Sequence, residues 1–323
     1  MTTRSSNEDA AAPAGAEHWR EALSREEIQE LLRFDDRRGA WIVLSTWGLI
    51  FGAMALVAWW PGFFTVVVAL CVIGAQQLGL AVVMHDAAHR SMFSERSVND
   101  WVGSWLAAYP TWQDVERYRP YHLRHHAKNW TDEDPDVDLA RPFPITRVSM
   151  WRKVGRDLSG RTGLKFARFS WRRDSGGEGP WQEQVRKALA TPRFRGMLIS
   201  NAVLLGVLSL AGHPALYLLW VAAWFTTNTL VTRIRAIAEH SMVPDPANPL
   251  LNTRTTRVSW WERIFLAPNY VNFHLEHHLL MTVPPYNLPR MHALLRERGV
   301  LDHALLAGGY LEVLREASSA PAA

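Results

Sequence analysis

The composition of this 323-residue chain excludes several protein classes before any element is considered. Its single cysteine, Cys71, excludes an internal disulfide. The formal charge of +4 comes without any nucleic-acid-binding motif, so we expect no nucleic-acid partner. The mean hydropathy of −0.11 is typical of a soluble protein, but it averages long apolar runs with stretches dense in charged residues.

Four apolar segments follow a small, polar stretch at residues 1–17, which we predict to be a disordered tail rather than a signal peptide. The first two segments have the roughly 20 residues that a helix needs to cross hydrocarbon, and the last two are shorter or more polar. In chain order, the predicted membrane-spanning segments are residues 40–60, 63–84, 196–211 and 214–231.

The distribution of basic residues predicts the orientation of these segments. The turns Pro61–Gly62 and Gly212–His213 contain no Arg or Lys, whereas about twenty basic residues lie between the second and third segments. The positive-inside rule then places both termini in the cytoplasm. We therefore predict an all-α membrane protein, most simply in a bacterial inner membrane. It would be a single domain over 1–323, with two helical hairpins and a cytoplasmic helical cap formed by residues 85–195 and 232–323.

Three shorter stretches have weaker patterns. Residues 26–34 (EEIQELLRF) have apolar positions at helical spacing, which predicts a helix on the membrane surface. Residues 101–110 are apolar but too short to cross a bilayer, and we expect them to be interfacial or re-entrant. Residues 173–180 (RDSGGEGP) have the composition of a flexible loop.

Eight of the 13 histidines fall in three five-residue boxes, and His240 is a ninth candidate outside them. HDAAH at 85–89 places two imidazoles at i and i+4, about 40° apart around a helix, so both share one face. HLRHH at 122–126 and HLEHH at 274–278 each pair one histidine with two others at i+3 and i+4. The predicted topology puts all of these boxes, and His240 after the fourth segment, on the same cytoplasmic side.

Such a set predicts a metal centre. Imidazole suits zinc, iron, copper and nickel, and nine histidines are too many for one ion. Two ions with four or five imidazoles each is the simplest arrangement; we favour two irons, although spacing alone leaves two zincs or two coppers open. The four remaining histidines are interpreted as ordinary surface residues: His18, His213, His292 and His303.

The three boxes, set around two hydrophobic hairpins, resemble the integral-membrane fatty acid desaturase and hydroxylase superfamily. The resemblance covers roughly 40–300 and includes HDAAHRSMF, YHLRHHAKNWTDEDPDVDLARPFP and NFHLEHHLLMTVPPYNLP. It implies a non-haem di-iron centre that uses O2 and two electrons to remove hydrogen from an alkyl chain. The implied ligands are His85, His89, His122, His125, His126, His240, His274, His277 and His278.

The resemblance leaves the reaction open. An acyl-lipid desaturase is the first interpretation, and a hydroxylase or ketolase of a carotenoid, sterol or sphingolipid is the alternative. A membrane metal-binding or transport protein is a more remote one, because transport sites usually lie near the bilayer midplane. No fused haem domain is recognisable, so we expect electrons from a ferredoxin- or rubredoxin-like partner, which the basic surface could dock.

The neighbours of the histidines lead to further expectations. Animal acyl-CoA members of the superfamily have an Asn where this chain has Ala236, and Asn272 is our candidate to replace it near an iron. Asp86 and Glu239 are predicted to hydrogen-bond to ligating imidazoles.

We expect a narrow apolar tunnel lined by Trp and Leu of 101–110 and by the spanning helices. The remaining acids are expected to be solvated or paired with Arg124, Arg233 or Arg235, and they are Glu276, Asp134, Asp136 and Asp138.

Overall fold

The computed structural model describes residues 19–321, and the predicted tail at 1–17 lies outside them. The described residues are mostly helical, with two short strands. The helices before the third apolar segment are α1 (Arg25–Leu31), α2 (Asp36–Trp59), α3 (Phe63–His89), α4 (Arg96–Trp101), α5 (Val115–Lys128), α6 (Val137–Ala140), α7 (Arg147–Leu158), α8 (Arg161–Ser175) and α9 (Trp181–Ala190). A π-helix at Val102–Ala108 and a 3-10 turn at Tyr109–Thr111 join α4 to α5.

The second half of the chain begins with another long helical hairpin and continues with shorter helices and two short strands. It contains α10 (Pro192–Leu210), α11 (Tyr217–Phe225), α12 (Thr227–His240), α13 (Trp260–Phe265), α14 (His274–Leu279), α15 (Leu288–Glu297) and α16 (Tyr310–Ala317). Further 3-10 turns lie at Pro214–Leu216, Pro285–Asn287 and Val300–His303. Two parallel strands, β1 (Thr255–Thr256) and β2 (Leu306–Ala307), pair with Thr255 opposite Leu306.

The four predicted spans are confirmed as helices long and apolar enough to cross a membrane, namely Asp36–Trp59, Phe63–His89, Pro192–Leu210 and Pro214–His240. Each of them extends beyond its predicted bounds at one end. The second span continues to His89 and the fourth, after an interruption at Thr226, to His240, so both end at predicted site histidines. The predicted all-α membrane fold with two hairpins is therefore confirmed.

The second span is the centre of the bundle. Helix α3 packs against α2, α11, α12 and α13, and its two glutamines donate to backbone carbonyls of its neighbours, Gln76 to Ile264 (3.0 Å) and Gln77 to Trp220 (2.9 Å). These bonds give the two buried amide nitrogens partners in place of water, whereas Oε1 of Gln77 is buried without a partner among the described residues. A tightly packed central helix fixes the position of the histidines at its end.

The fourth span is broken between α11 and α12 at Thr226, whose backbone dihedrals are φ −121° and ψ −86°. The break lies directly against α3, where Thr227 Oγ1 donates to the carbonyl of Leu70 (2.5 Å) and a Cβ on Gly74 would lie 2.2 Å from that oxygen. Close approach of the two helices thus requires glycine at position 74. The break redirects α12 toward the histidine cluster.

The shorter predicted elements have mixed outcomes. Helix α1 is confirmed, but Leu31 is fully buried and packs with Met291 of α15, so its apolar side lies in a protein core rather than on the membrane surface. Residues 101–110 form the π-helix and 3-10 turn beside α3 and α10. The loop predicted at 173–180 begins only after Ser175, where α8 ends.

Candidate metal centre

Four helices bring the nine predicted histidines together. The last turns of α3 and α12 supply His85, His89 and His240, and α5 and α14 supply the other six. They form two groups, and in each group the potential ligand atoms lie within 4.8 Å of one another. The five-histidine group is His85, His89, His122, His126 and His277; the four-histidine group is His125, His240, His274 and His278.

The Nε2 atoms of several rings face a shared centre. The Nε2 of His126 lies 3.0 Å from that of His122 and 3.0 Å from that of His277, and the Nε2 atoms of His240 and His274 are 2.7 Å apart. Rings of the two groups are also adjacent, since His126 and His278 stack with centroids 4.2 Å apart. Two ions held by these groups would therefore be neighbours.

Three further Nε2 atoms, those of His85, His89 and His278, are buried and have no hydrogen-bond partner among the described residues. Buried polar atoms are rarely left unsatisfied in native proteins, and a metal ion supplies the missing contact. The donor set of nine imidazoles without a cysteine fits two borderline divalent ions such as iron or zinc. The residues present therefore fit a two-metal centre.

The protonation state of the cluster also favours metal binding. Burial lowers the pKa of His126 to about 2, with help from the neighbouring His89 and His125. Burial and the surrounding histidines likewise lower the pKa of His122, His274 and His277 well below its ordinary value. Neutral imidazoles are the form that ligates metals, so near pH 7 these rings need not release a proton to bind.

Two carboxylates contact the Nδ1 atoms of histidines in the two groups. Nδ1 of His85 lies 2.7 Å from Asp86, as predicted, and Nδ1 of His125 lies 2.8 Å from Asp134. Such a contact fixes the tautomer of the ring and leaves Nε2 free for the metal. The expectation that Asp134 is solvated or paired with arginine was wrong, since it is buried and also accepts the backbone N–H groups of Trp130 and Asp136.

The hydrogen bonds at Asp134 have an electrostatic consequence. Burial on its own raises the pKa of this carboxyl, but the bonds from His125 and from the two backbone N–H groups lower it, and the net shift is downward. Asp134 is therefore a carboxylate at neutral pH. The neighbouring Asp136 accepts the Tyr121 hydroxyl (2.5 Å), and Asp138 is exposed as expected.

Glu239 and Asn272 are placed differently from each other. Glu239 is buried with its Oε2 2.5 Å from Nε of Arg235 and 3.6 Å from Nε2 of His274, so it lies at the edge of the four-histidine group. Asn272 donates to the carbonyl of Thr256 (3.1 Å), and its Oδ1 is buried without a hydrogen-bond partner among the described residues. The role of Asn272 near a metal stays a prediction.

Two other expectations are corrected at the third box. Glu276 is fully buried, where it accepts from the Thr255 hydroxyl and from Nδ1 of His292 (both 2.5 Å). Glu276 is therefore not solvated, and its partners are not arginines. Of the arginines considered as partners, Arg233 binds Asp157 and Arg235 binds Glu239. His292, interpreted as a surface residue, is instead a partner of this buried carboxylate.

A cavity of about 610 Å³ reaches the five-histidine group at His85. Its apolar walls come from α3, α8 and α11 and from the segment that follows the π-helix, and α5 and α12 add mostly polar side chains. Trp and Leu of 101–110, which were predicted to line a tunnel, do not line this cavity. The residues nearest the metal end include Tyr118, whose ring stacks on His122 at a centroid distance of 4.9 Å; nothing in the sequence pattern singled out this tyrosine.

The chain is similar to proteins of known activity. The family described as Fatty acid desaturase matches residues 57–306. Dihydrorhizobitoxine desaturase from Bradyrhizobium elkanii is 28% identical over 280 residues, which cover 81% of this chain and 77% of the relative. The sn-1 oleoyl-lipid 12-desaturase from Picosynechococcus sp. is 27% identical over 277 residues, which cover 79% and 76%. The chloroplastic omega-6 fatty acid desaturase of Glycine max is 28% identical over 244 residues; these cover 69% of this chain and 54% of that relative.

Proposed function

The chain belongs to the fatty acid desaturase family, and on that premise we propose that it is an O2-dependent, di-iron membrane oxidoreductase that introduces a double bond into a fatty acyl chain. The observation that carries this proposal is the convergence of nine histidines into adjacent groups of five and four. Family membership is what selects iron, since the imidazole set alone also suits zinc or copper.

Two irons bound by these groups would supply the activation of O2 that removes hydrogen from an unactivated C–H bond. The proposed balance is one saturated –CH2–CH2– unit, O2, two electrons and two protons giving –CH=CH– and two waters. The two electrons would come from a separate ferredoxin- or rubredoxin-like donor on the cytoplasmic side. The orientation that puts the site there rests on the basic loop between the second and third spans.

The protein's own residues would orient the reactants. Asp86 and Asp134 contact Nδ1 of His85 and of His125, which would leave the Nε2 atoms of these rings free to hold the ions. The cavity that ends at His85 would hold an extended alkyl chain, since Leu78, Val82 and Trp224 give it apolar walls. Because a misplacement of about 1 Å can cost roughly 100-fold in rate, the fit of the chain would determine which carbons react.

The substrate is proposed from the relatives and the cavity together. One relative is named for an oleoyl lipid and another for dihydrorhizobitoxine, so the family accepts more than one class of molecule. A cavity of about 610 Å³ with apolar walls beside the histidines favours an acyl chain of a lipid or thioester. The alternative to desaturation is hydroxylation or ketolation of a carotenoid, sterol or sphingolipid.

Expression in a host with defined lipids, followed by mass spectrometry of acyl chains and isoprenoids, tests this function. New double bonds in acyl chains, lost in His125→Ala but kept in the control His303→Ala, support it. Iron analysis of the purified chain should give about two irons, falling in His125→Ala. Oxygenated lipids without new double bonds would establish the alternative reaction, and unchanged desaturation in His125→Ala would refute the ligand assignment.

A further inference from the structure

The outer part of the cavity that reaches His85 is lined by two exposed arginines, Arg117 at the start of α5 and Arg173 near the end of α8. We propose that Arg117 and Arg173 form a binding site for an anionic head on the substrate, either a carboxylate or a phosphate-bearing group. The inference rests on the proposed function, and it narrows the substrate class to acyl chains with an anionic head.

Neither guanidinium is neutralised by an ion pair within the described residues 19–321. The side chain of Arg173 lies over the ring of Phe169, with its central carbon 5.4 Å from the ring centroid, and this contact leaves its N–H groups available. Partial burial lowers the pKa of Arg173, and Arg117 lowers it further although Asp174 and Asp114 oppose this shift. Arg117 and Arg173 line the same cavity, so their like charges repel across it, and a shared anion would relieve that repulsion.

The carboxylates near these arginines already have other partners. Asp174 is buried, with Oδ1 accepting from Nε of Arg193 (3.0 Å) and Oδ2 from the indole N–H of Trp112 (3.2 Å). Asp114 caps α5 by accepting the backbone N–H of Arg117 (3.1 Å).

Glu116, the other acid of this turn, pairs with Arg119 at 2.7 Å. Arg193 neutralises the charge of Asp174, and Arg119 neutralises that of Glu116. The charges that remain at the cavity entrance are those of Arg117, Arg173 and Asp114. They leave one net positive charge at the entrance.

The cavity combines the three kinds of lining that an anionic amphiphile requires. Arg117 and Arg173 contribute guanidinium groups, Leu78, Trp112 and Trp224 contribute apolar surface, and His85 belongs to the five-histidine group. Guanidinium binds carboxylate and phosphate oxygens through two parallel hydrogen bonds, so it fixes the head in position as well as attracting it. A fixed head would set the distance from the head to the reacting carbons. A neutral sugar or glycerol head offers no such charge.

Binding of cis-parinaric acid, a fluorescent polyene fatty acid, to the purified full-length chain tests the site without any turnover. Trp112 and Trp224 line the cavity, so energy transfer from tryptophan reports occupancy. The double variant Arg117→Gln/Arg173→Gln should weaken binding of the acid by about tenfold to a hundredfold, the range for lost hydrogen bonds to charged groups. Binding of its neutral methyl ester should stay unchanged.

Matched controls separate this site from general surface charge. Arg168→Gln/Arg172→Gln removes two charges from the same helix, α8, at positions that do not line the cavity, and it should bind the acid as the unmodified chain does. Arg173→Lys keeps the charge and should retain most of the affinity. Equal weakening in the control pair, or equal weakening for acid and ester, would overturn the proposal.

Turnover assays then identify the head and separate this inference from the proposed function. Oleate, phosphatidylglycerol and neutral monooleoylglycerol are compared with an electron donor supplied. Loss of oleate turnover alone in the double variant identifies a carboxylate head, and loss of phosphatidylglycerol turnover alone identifies a phosphate. Turnover of monooleoylglycerol should be the same in both proteins, whereas equal turnover of oleate and of phosphatidylglycerol by both proteins would refute the anionic head while desaturation stands. No product from any lipid, with intact parinaric acid binding, refutes the desaturase function instead.

Discussion

Oδ1 of Asp134 lies 2.8 Å from Nδ1 of His125, although nine residues separate them and α5 ends between them at Lys128. The chain reverses at Trp130, which has a positive φ of 64°, and the backbone N–H of Trp130 donates to the second oxygen of Asp134 (3.0 Å). The carboxylate of Asp134 therefore contacts both the backbone at this chain reversal and the ring of His125 in the four-histidine group.

Removing this carboxylate should weaken metal binding at the four-histidine group. We expect Asp134→Ala to lower iron affinity by about tenfold to a hundredfold, because Nδ1 of His125 loses the partner that fixes its tautomer and ring orientation. The exposed Asp138→Ala is the control and should keep full iron content. Iron per chain, measured at increasing chelator concentration, checks this; equal retention in both variants would contradict the role of Asp134.

The histidines could be predicted from sequence because spacings of three and four residues place side chains on one helical face whatever the tertiary structure. Asp134 could not, since its approach to His125 depends on a left-handed residue at Trp130 that a local pattern does not specify. The Thr226 break was missed for a similar reason. The break depends on packing against Gly74 in another span. The sequence of the fourth segment stays apolar across the break, so hydropathy gives no sign of it.

The burial of Glu276 was not predicted, because its two hydrogen-bond partners come from distant parts of the chain. The contribution of these hydrogen bonds to stability can be tested by mutation. The carboxylate is fully buried between Thr255 and His292. Glu276→Ala should lower the free energy of unfolding by about 1–3 kcal/mol, the cost of leaving buried donors unsatisfied. Thermal unfolding in detergent measures this. His292→Ala should reproduce part of the loss, and a loss of equal size in His303→Ala would show that the effect is not specific to the network.

The contact between α3 and the break in the fourth span gives a second stability prediction. A methyl group at position 74 would lie 2.2 Å from Thr227 Oγ1 and 2.7 Å from the backbone nitrogen of Asn228. Gly74→Ala should therefore destabilise the chain by about 1–3 kcal/mol, since one helix must move. Gly48→Ala on α2 is the matched control, because nothing lies within 4 Å of its added methyl. A lower unfolding temperature for Gly74→Ala alone is expected; equal temperatures would mean that the close packing is not required.

The predicted orientation can be tested from the two turns that lack basic residues. In a Cys71→Ser background, single cysteines at Pro61 and His213 should react with a membrane-impermeant maleimide on intact cells. Cysteines at Glu178 and Ser319 should react only after permeabilisation, because the basic loop and the C-terminal helices are predicted to be cytoplasmic. All four positions are exposed, so accessibility within the protein does not limit the reaction. The reverse labelling pattern would place the histidine cluster outside the cytoplasm, where a ferredoxin-like donor could not reach it.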